Sequence, residues 1–142
     1  MVPDSYACHN NAALCLQIMD RMEEALQHYN DSIRLHPTRY ALNNRATIYN
    51  ADNRSNEALA DVSQALKMSD CQEYPCSNAQ LLATRAAIYM AKGDYRSALR
   101  DVNAGMEATP YDNEQLIAFY DKALLTCNLK LGISPCAGKG CK

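Results

Sequence analysis

The chain has 142 residues, room for one domain with a true core, and a formal charge of −2 at pH 7, which offers no basic field to a phosphate backbone and argues against a nucleic-acid partner. With 5 Gly, 5 Pro, no Trp and a single Phe, strand-forming runs are scarce and the composition leans helical. Apolar runs such as Leu116 to Tyr120 fall far short of the ~20 residues of a membrane-spanning helix, and the start, Met1-Val2-Pro3-Asp4-Ser5, has no basic stretch leading into a hydrophobic one, so a cytoplasmic protein is expected.

Taken in order, apolar periodicity and turn residues predict helices over 4–19, 22–35, 38–51, 55–68, 78–92, 95–108 and 112–131. The first, third and fifth carry related stretches: Asn11-Ala12-Ala13-Leu14-Cys15-Leu16, Asn44-Arg45-Ala46-Thr47-Ile48-Tyr49 and Thr84-Arg85-Ala86-Ala87-Ile88-Tyr89. Each is followed at one distance by a second signature, Glu24-Ala25-Leu26, Glu57-Ala58-Leu59 and Ser97-Ala98-Leu99. Ala13 to Ala46 and Ala25 to Ala58 both span 33 residues, and the next step is 40 by either marker (86 − 46 and 98 − 58). Two independent markers in one register define three repeats, about 5–37, 38–70 and 78–110, with Pro37 and Pro110 closing the first and third. The extra residues of the longer step fall in a loop from Ser69 to Ser77. The helix over 112–131 has no partner and is expected to cap the array, and residues 132–142, of turn and linker composition, are expected to be a disordered tail.

Small residues recurring at these places predict where paired helices cross: Ala13, Ala46 and Ala86 on the first helices, Ala25, Ala58 and Ala98 on the second, with Leu16, Tyr49, Tyr89, Tyr29, Val62 and Val102 filling the space around them. Arg45 and Asp61, and Arg85 and Asp101, keep one offset of 16 residues, whereas the first repeat has Ala12 and His28 there; joint presence and joint absence predict ion pairs. Left partly exposed, such pairs would contribute ~1 kcal/mol or less each.

A period near ~34 residues built from two helices, with the pattern of small residue, aromatic and second-helix alanine in Leu42 to Tyr49 and Ala58 to Asp61, and Gly93-Asp94-Tyr95 with Ala98 and Pro110, resembles the tetratricopeptide repeat (TPR) family over roughly residues 5–131. The first repeat departs from the pattern, with Leu16 for the aromatic and Asp20 for the turn glycine. The resemblance implies an all-α solenoid of three helix hairpins plus a capping helix, one domain over 4–131, acting as a protein-interaction adaptor without chemistry or cofactor of its own. It also implies a concave surface lined by the first helix of each pair. On that surface would stand Asn10, Asn11, Leu14 and Gln17, then Tyr40, Asn43, Asn44, Thr47 and Asn50, then Gln80, Ala83, Thr84, Ala87 and Met90. Asn11 and Asn44 are equivalent, and a carboxamide offers the donors and the acceptor that an extended peptide backbone needs. The family's clamp for acidic chaperone C-termini is matched only at Asn44; its other places hold Asn10, Leu14, Gln80 and Thr84. A neutral groove forgoes the charge-assisted bonds on which carboxylate recognition relies. A chaperone partner engaged through some other surface is the alternative expectation.

Seven cysteines, three of them (Cys8, Cys15 and Cys127) inside helical patterns, are expected to be reduced thiols. Cys71 with Cys76 and Cys136 with Cys141 have a spacing that two halves of a zinc site could use, but one pair lies on a loop and the other in the tail. His9, His28 and His36 show no neighbouring carboxylate or thiol at a meaningful spacing, and neither a phosphate-binding glycine loop nor a nucleophile motif occurs, so no enzyme is expected. Cys8 and Cys15, seven residues apart on the outer stripe of the first helix, mark a candidate homodimer contact, or the joint to further repeats of a longer array.

Overall fold

Helix boundaries follow from residues that satisfy the free N–H groups of a first turn. Ser5 Oγ accepts from Ala7 N–H at 3.2 Å and Thr38 Oγ1 from Ala41 N–H at 3.1 Å. Ser77 and Gln80 form a reciprocal capping box, and Asp94 and Asn113 accept from Ser97 and Leu116. In the computed structural model, which describes residues 5–69 and 76–134, seven helices result. They are α1 (Tyr6–Ile18), α2 (Met22–Leu35), α3 (Arg39–Ala51), α4 (Ser55–Leu66), α5 (Asn78–Ala91), α6 (Tyr95–Ala108) and α7 (Glu114–Leu131). Every predicted helix is present, with ends that coincide or shift by no more than two residues, and no strand occurs among the described residues. No described helix is long and apolar enough to cross a membrane.

The turn within each hairpin needs one residue in the left-handed region, supplied by Asp20 (φ 60°), Asn53 (φ 59°) and Gly93 (φ 80°). Asp and Asn tolerate that region better than other side chains do, which lets the first two hairpins make the same turn without glycine. Gly132, at φ 68°, ends α7 the same way.

The chain divides into two compact units, Met1–Cys76 and Ser77–Lys142. In the first unit α1 packs on α2, α2 on α3, and α3 on α4. In the second, α5 packs on α6, and α7 lies against both. The six expected crossing alanines are all fully buried, as are Tyr29, Val62 and Val102. Without side-chain bulk at the crossings, the helix backbones approach closely and the larger residues fill the flanks. The architecture is all-α, with adjacent helices packed in successive pairs, compatible with a helical repeat.

Both expected ion pairs form inside their hairpins. Arg45 Nε and Nη2 donate to Asp61 at 2.8 and 2.7 Å, and Arg85 Nε and Nη2 donate to Asp101, both at 2.7 Å. The aspartate side chains are only 7% exposed, so these pairs are more deeply set than expected, and removing one partner would strand a carboxylate away from water. Hydrogen bonding to Asp61 and to Asp101 raises the pKa of Arg45 and of Arg85, holding both guanidinium groups charged.

In the second unit α7 seats a single large side chain. Tyr120 is 1% exposed and donates its hydroxyl to the Ala79 carbonyl at 2.5 Å. Its ring occupies the space beside Gly105 so fully that a Cβ there would lie 1.9 Å from Tyr120 Oη. Tyr120, Ala83, Ala86, Val102 and Ala123 form one buried cluster. Desolvation keeps the Tyr120 phenol protonated well above its ordinary range.

Candidate functional site

The first unit gathers three of the expected groove residues, Gln17, Tyr40 and Asn44, around the hydroxyl of Tyr29 on α2. Tyr29 donates to Gln17 Oε1 at 3.0 Å, linking α2 to α1. Burial raises the Tyr29 pKa far above that of a free phenol, and the neighbouring Tyr40 adds to the shift; Asn44, hydrogen bonding to the phenol oxygen, opposes it. Gln17, Tyr40 and Asn44 thus share one polar hub at the seam of α1, α2 and α3. Asn11 is exposed on α1, and Leu14 is exposed beside it.

Along α3, Asn43 and Asn50 stand seven residues apart on one side of the helix. The carboxamide oxygen of each is shielded from water and has no hydrogen-bond partner among the described residues. An acceptor in that condition costs free energy unless a donor is brought to it. Thr47, between them, spends its hydroxyl proton on the Asn44 carbonyl at 2.7 Å.

Asn10 requires a correction. It is fully buried, with Ser32 Oγ 2.9 Å from its Oδ1, so it belongs to the packing of α1 on α2 and not to an open surface. The reason is helical phase: Asn10 precedes the crossing residue Ala13 by three and lies on the same face. Ala83 is likewise buried, in the cluster that receives α7. In the second unit Gln80 and Thr84 are engaged by their own helix. Gln80 Oε1 accepts from Ser77 N–H at 3.0 Å, and Thr84 donates to the Gln80 carbonyl at 3.2 Å. The expected face therefore keeps its unspent polar capacity in the first unit, at Asn11, Asn43 and Asn50.

The histidines also need correction. His9 on α1 and His28 on α2 meet, Nδ1 to Nδ1 at 3.0 Å, and Asp31 one turn beyond His28 joins them. The signal in the sequence was the spacing from His28 to Asp31, three residues along one helix; what it lacked was the rotation of α1 that brings His9 across. His36 lies apart from them, its ring tilted against that of Tyr6 with centroids 4.7 Å apart. Cys8 and Cys15 are exposed free thiols, as expected, while Cys76 and Cys127 are buried. Burial raises the pKa of the Cys127 thiol. Cys71, Cys136 and Cys141, and the tail from residue 135 onward, lie outside the described residues.

No protein-family model matches this sequence, and no curated protein is significantly similar to it.

Proposed function

We propose that the chain is a protein-binding adaptor of the tetratricopeptide kind, taking an extended peptide or a partner helix along the α1 and α3 side of its first unit. The observation that carries this reading is the pair of unpartnered carboxamide oxygens on Asn43 and Asn50. They are acceptors in want of N–H donors, and an extended backbone presents such donors at regular intervals. Because the terminal torsion of asparagine is broad, each carboxamide can turn toward an incoming donor at small cost. The places of a carboxylate clamp hold Asn10, which is buried, and Leu14, Gln80 and Thr84, none of them cationic, so a neutral backbone fits this face better than an acidic terminus does.

Selection of binders from a library of displayed extended peptides tests the reading. Asn43→Ala with Asn50→Ala should weaken the selected peptides at least ~10-fold while leaving the melting temperature unchanged or slightly higher, since each change removes an unsatisfied buried acceptor. Peptides that bind the double variant as tightly as the native chain would sink it.

One further observation favours a second reading, self-association. Cys8 and Cys15 share an outer stripe of α1, and Ile18 (77% exposed) and Met19 (61% exposed) extend an apolar surface at the end of that helix. Light scattering on size-separated native protein and on Cys8→Ser/Cys15→Ser decides it: a concentration-dependent dimer lost in the variant is the expected result, and a monomer at high micromolar concentration rejects it.

A further inference from the structure

The place that Asp61 and Asp101 occupy in the second and third hairpins is held by His28 in the first, and the Arg45 and Arg85 places by Ala12. The first hairpin therefore lacks the ion pair at that position. His9, one turn before Ala12 on α1, fills the gap, and the two imidazoles face each other with Nδ1 atoms 3.0 Å apart. Asp31, three residues after His28 on α2, brings its carboxylate near them while also pairing with the exposed Arg34 at 3.5 Å. The three prospective ligand atoms all lie within 4.8 Å of one another, and all three residues are half-buried. Neither companion recurs at the matching places, which hold Leu42 and Leu82 for His9, and Gln64 and Ala104 for Asp31. Helical packing alone does not require this trio.

We propose that His9, His28 and Asp31 form a binding site for a divalent first-row transition cation of the zinc type, independent of the peptide groove. Imidazole nitrogen and carboxylate oxygen are ligands such ions accept, and three protein ligands leave a fourth position for water. Bonds of ~2.0–2.1 Å at the tetrahedral angle place two ligand nitrogens about 3.3 Å apart. The nitrogens already stand within a few tenths of an ångström of that spacing. Asp31 closes the set by moving its oxygen inward by roughly 1.5 Å or less, a change within reach of a side-chain torsion. The ion replaces the hydrogen bond between the rings and takes a lone pair from each Nδ1, the proton that bridged them moving to the Nε2 of its own ring. Its structural effect is to clip α1 to α2 where the other hairpins use Arg and Asp.

The test uses the full native chain with one equivalent of zinc, read by histidine acylation mapped by mass spectrometry. Zinc should slow modification of His9 and His28 at least ~10-fold and leave His36 unchanged. Titration should give one site, weakened at least ~100-fold in His28→Gln and clearly in Asp31→Asn, more than loss of an outer-shell partner costs. Because seven cysteines compete for soft metals, cobalt(II) serves as the second probe, and its bound form should show no thiolate charge-transfer band. Equal acylation of His9 and His28 with and without zinc overturns the proposal, as does unchanged affinity in folded variants or a thiolate band in the cobalt form. The acylation arm needs no variant, so a substitution that fails to fold leaves the decision intact.

Discussion

The first and third hairpins are built on one frame and fastened by opposite means. At the position seven residues after the second-helix alanine, the first hairpin has Ser32 and the third has Gly105, both buried. Ser32 reaches the Tyr6 carbonyl at 2.9 Å and Asn10 at the same distance, while Gly105 vacates its space for the ring of Tyr120. At the position three residues after the alanine, His28 meets His9 in the first hairpin, and Asp101 meets Arg85 in the third. The third hairpin is thus locked by a fixed charge pair and a steric wedge, the first by the hydrogen bonds of Ser32 and the contact between two imidazoles. A repeat dictates where small and large residues go, and leaves the chemistry of the fastening free to differ from one hairpin to the next.

The wedge gives the largest expected effect. Gly105→Ala places a methyl group inside the Tyr120 ring, so α7 must shift or leave, costing about 3 kcal/mol of overpacking. Chemical denaturation should register this as a lower midpoint, and Tyr120→Leu in the same chain should restore part of the loss. Ser32→Ala, the matching position in the first hairpin, loses only hydrogen bonds and should cost about 1 kcal/mol. Equal losses at the two sites would erase the contrast.

Removing the arginines comes next. Arg45→Ala strands the Asp61 carboxylate and should cost about 3 kcal/mol, since Arg45 also donates to Asn30 on α2 at 2.9 Å. Arg85, with 27% of its side chain exposed against 18% for Arg45, should cost nearer 2 kcal/mol on replacement by Ala. His28→Ala without metal should cost no more than about 1 kcal/mol, being the loss of one ring-to-ring hydrogen bond. Denaturation midpoints of the three variants supply the order, and a reversed order would place the stronger fastening in the first hairpin.

A last effect, shared by Tyr29 of the first hairpin and Tyr120 of α7, appears only in alkali. Tyr29 and Tyr120 keep their protons in the folded chain above the pKa of a free phenol, so the unfolded state is the one that ionises as pH rises past ~10. Stability is whole below that pH and falls by up to about 1.4 kcal/mol per pH unit for each phenol above it. Tyrosinate absorbance should show part of the 9 tyrosines ionising only as the helix signal is lost. Tyr29→Phe should reduce the slope without abolishing it, because Tyr120 remains.

The repeat markers made the seven helices, the six buried alanines and both ion pairs legible before any coordinates, because each is a matter of period and register. Asn10 was misplaced because a position shared with Asn43 by register does not share its burial: Asn10 is covered by Ser32 on its own partner helix. His9 and His28 were missed because their meeting depends on the rotation of α1 over α2, which a single helical period does not encode. Only the packing of α7 reveals why the place of Gly105 is empty of side chain. Thr47, Gln80 and Thr84 matched the groove pattern by position, yet the Thr47 and Thr84 hydroxyls and Gln80 Oε1 are engaged by their own helices, a competition between local and external partners that spacing cannot report.

In each unit, the helices that pack together lie one or two places apart along the chain, from α1 on α2 through to α7 on α5 and α6. Such an arrangement has low contact order: little loop-closure entropy stands between the unfolded chain and its first stable pair, and assembly should be rapid. It also means that opening need not be global. Exchange of amide protons should then proceed in blocks, with α1, joined to its unit chiefly through α2, releasing earlier than α3, which is held between α2 and α4.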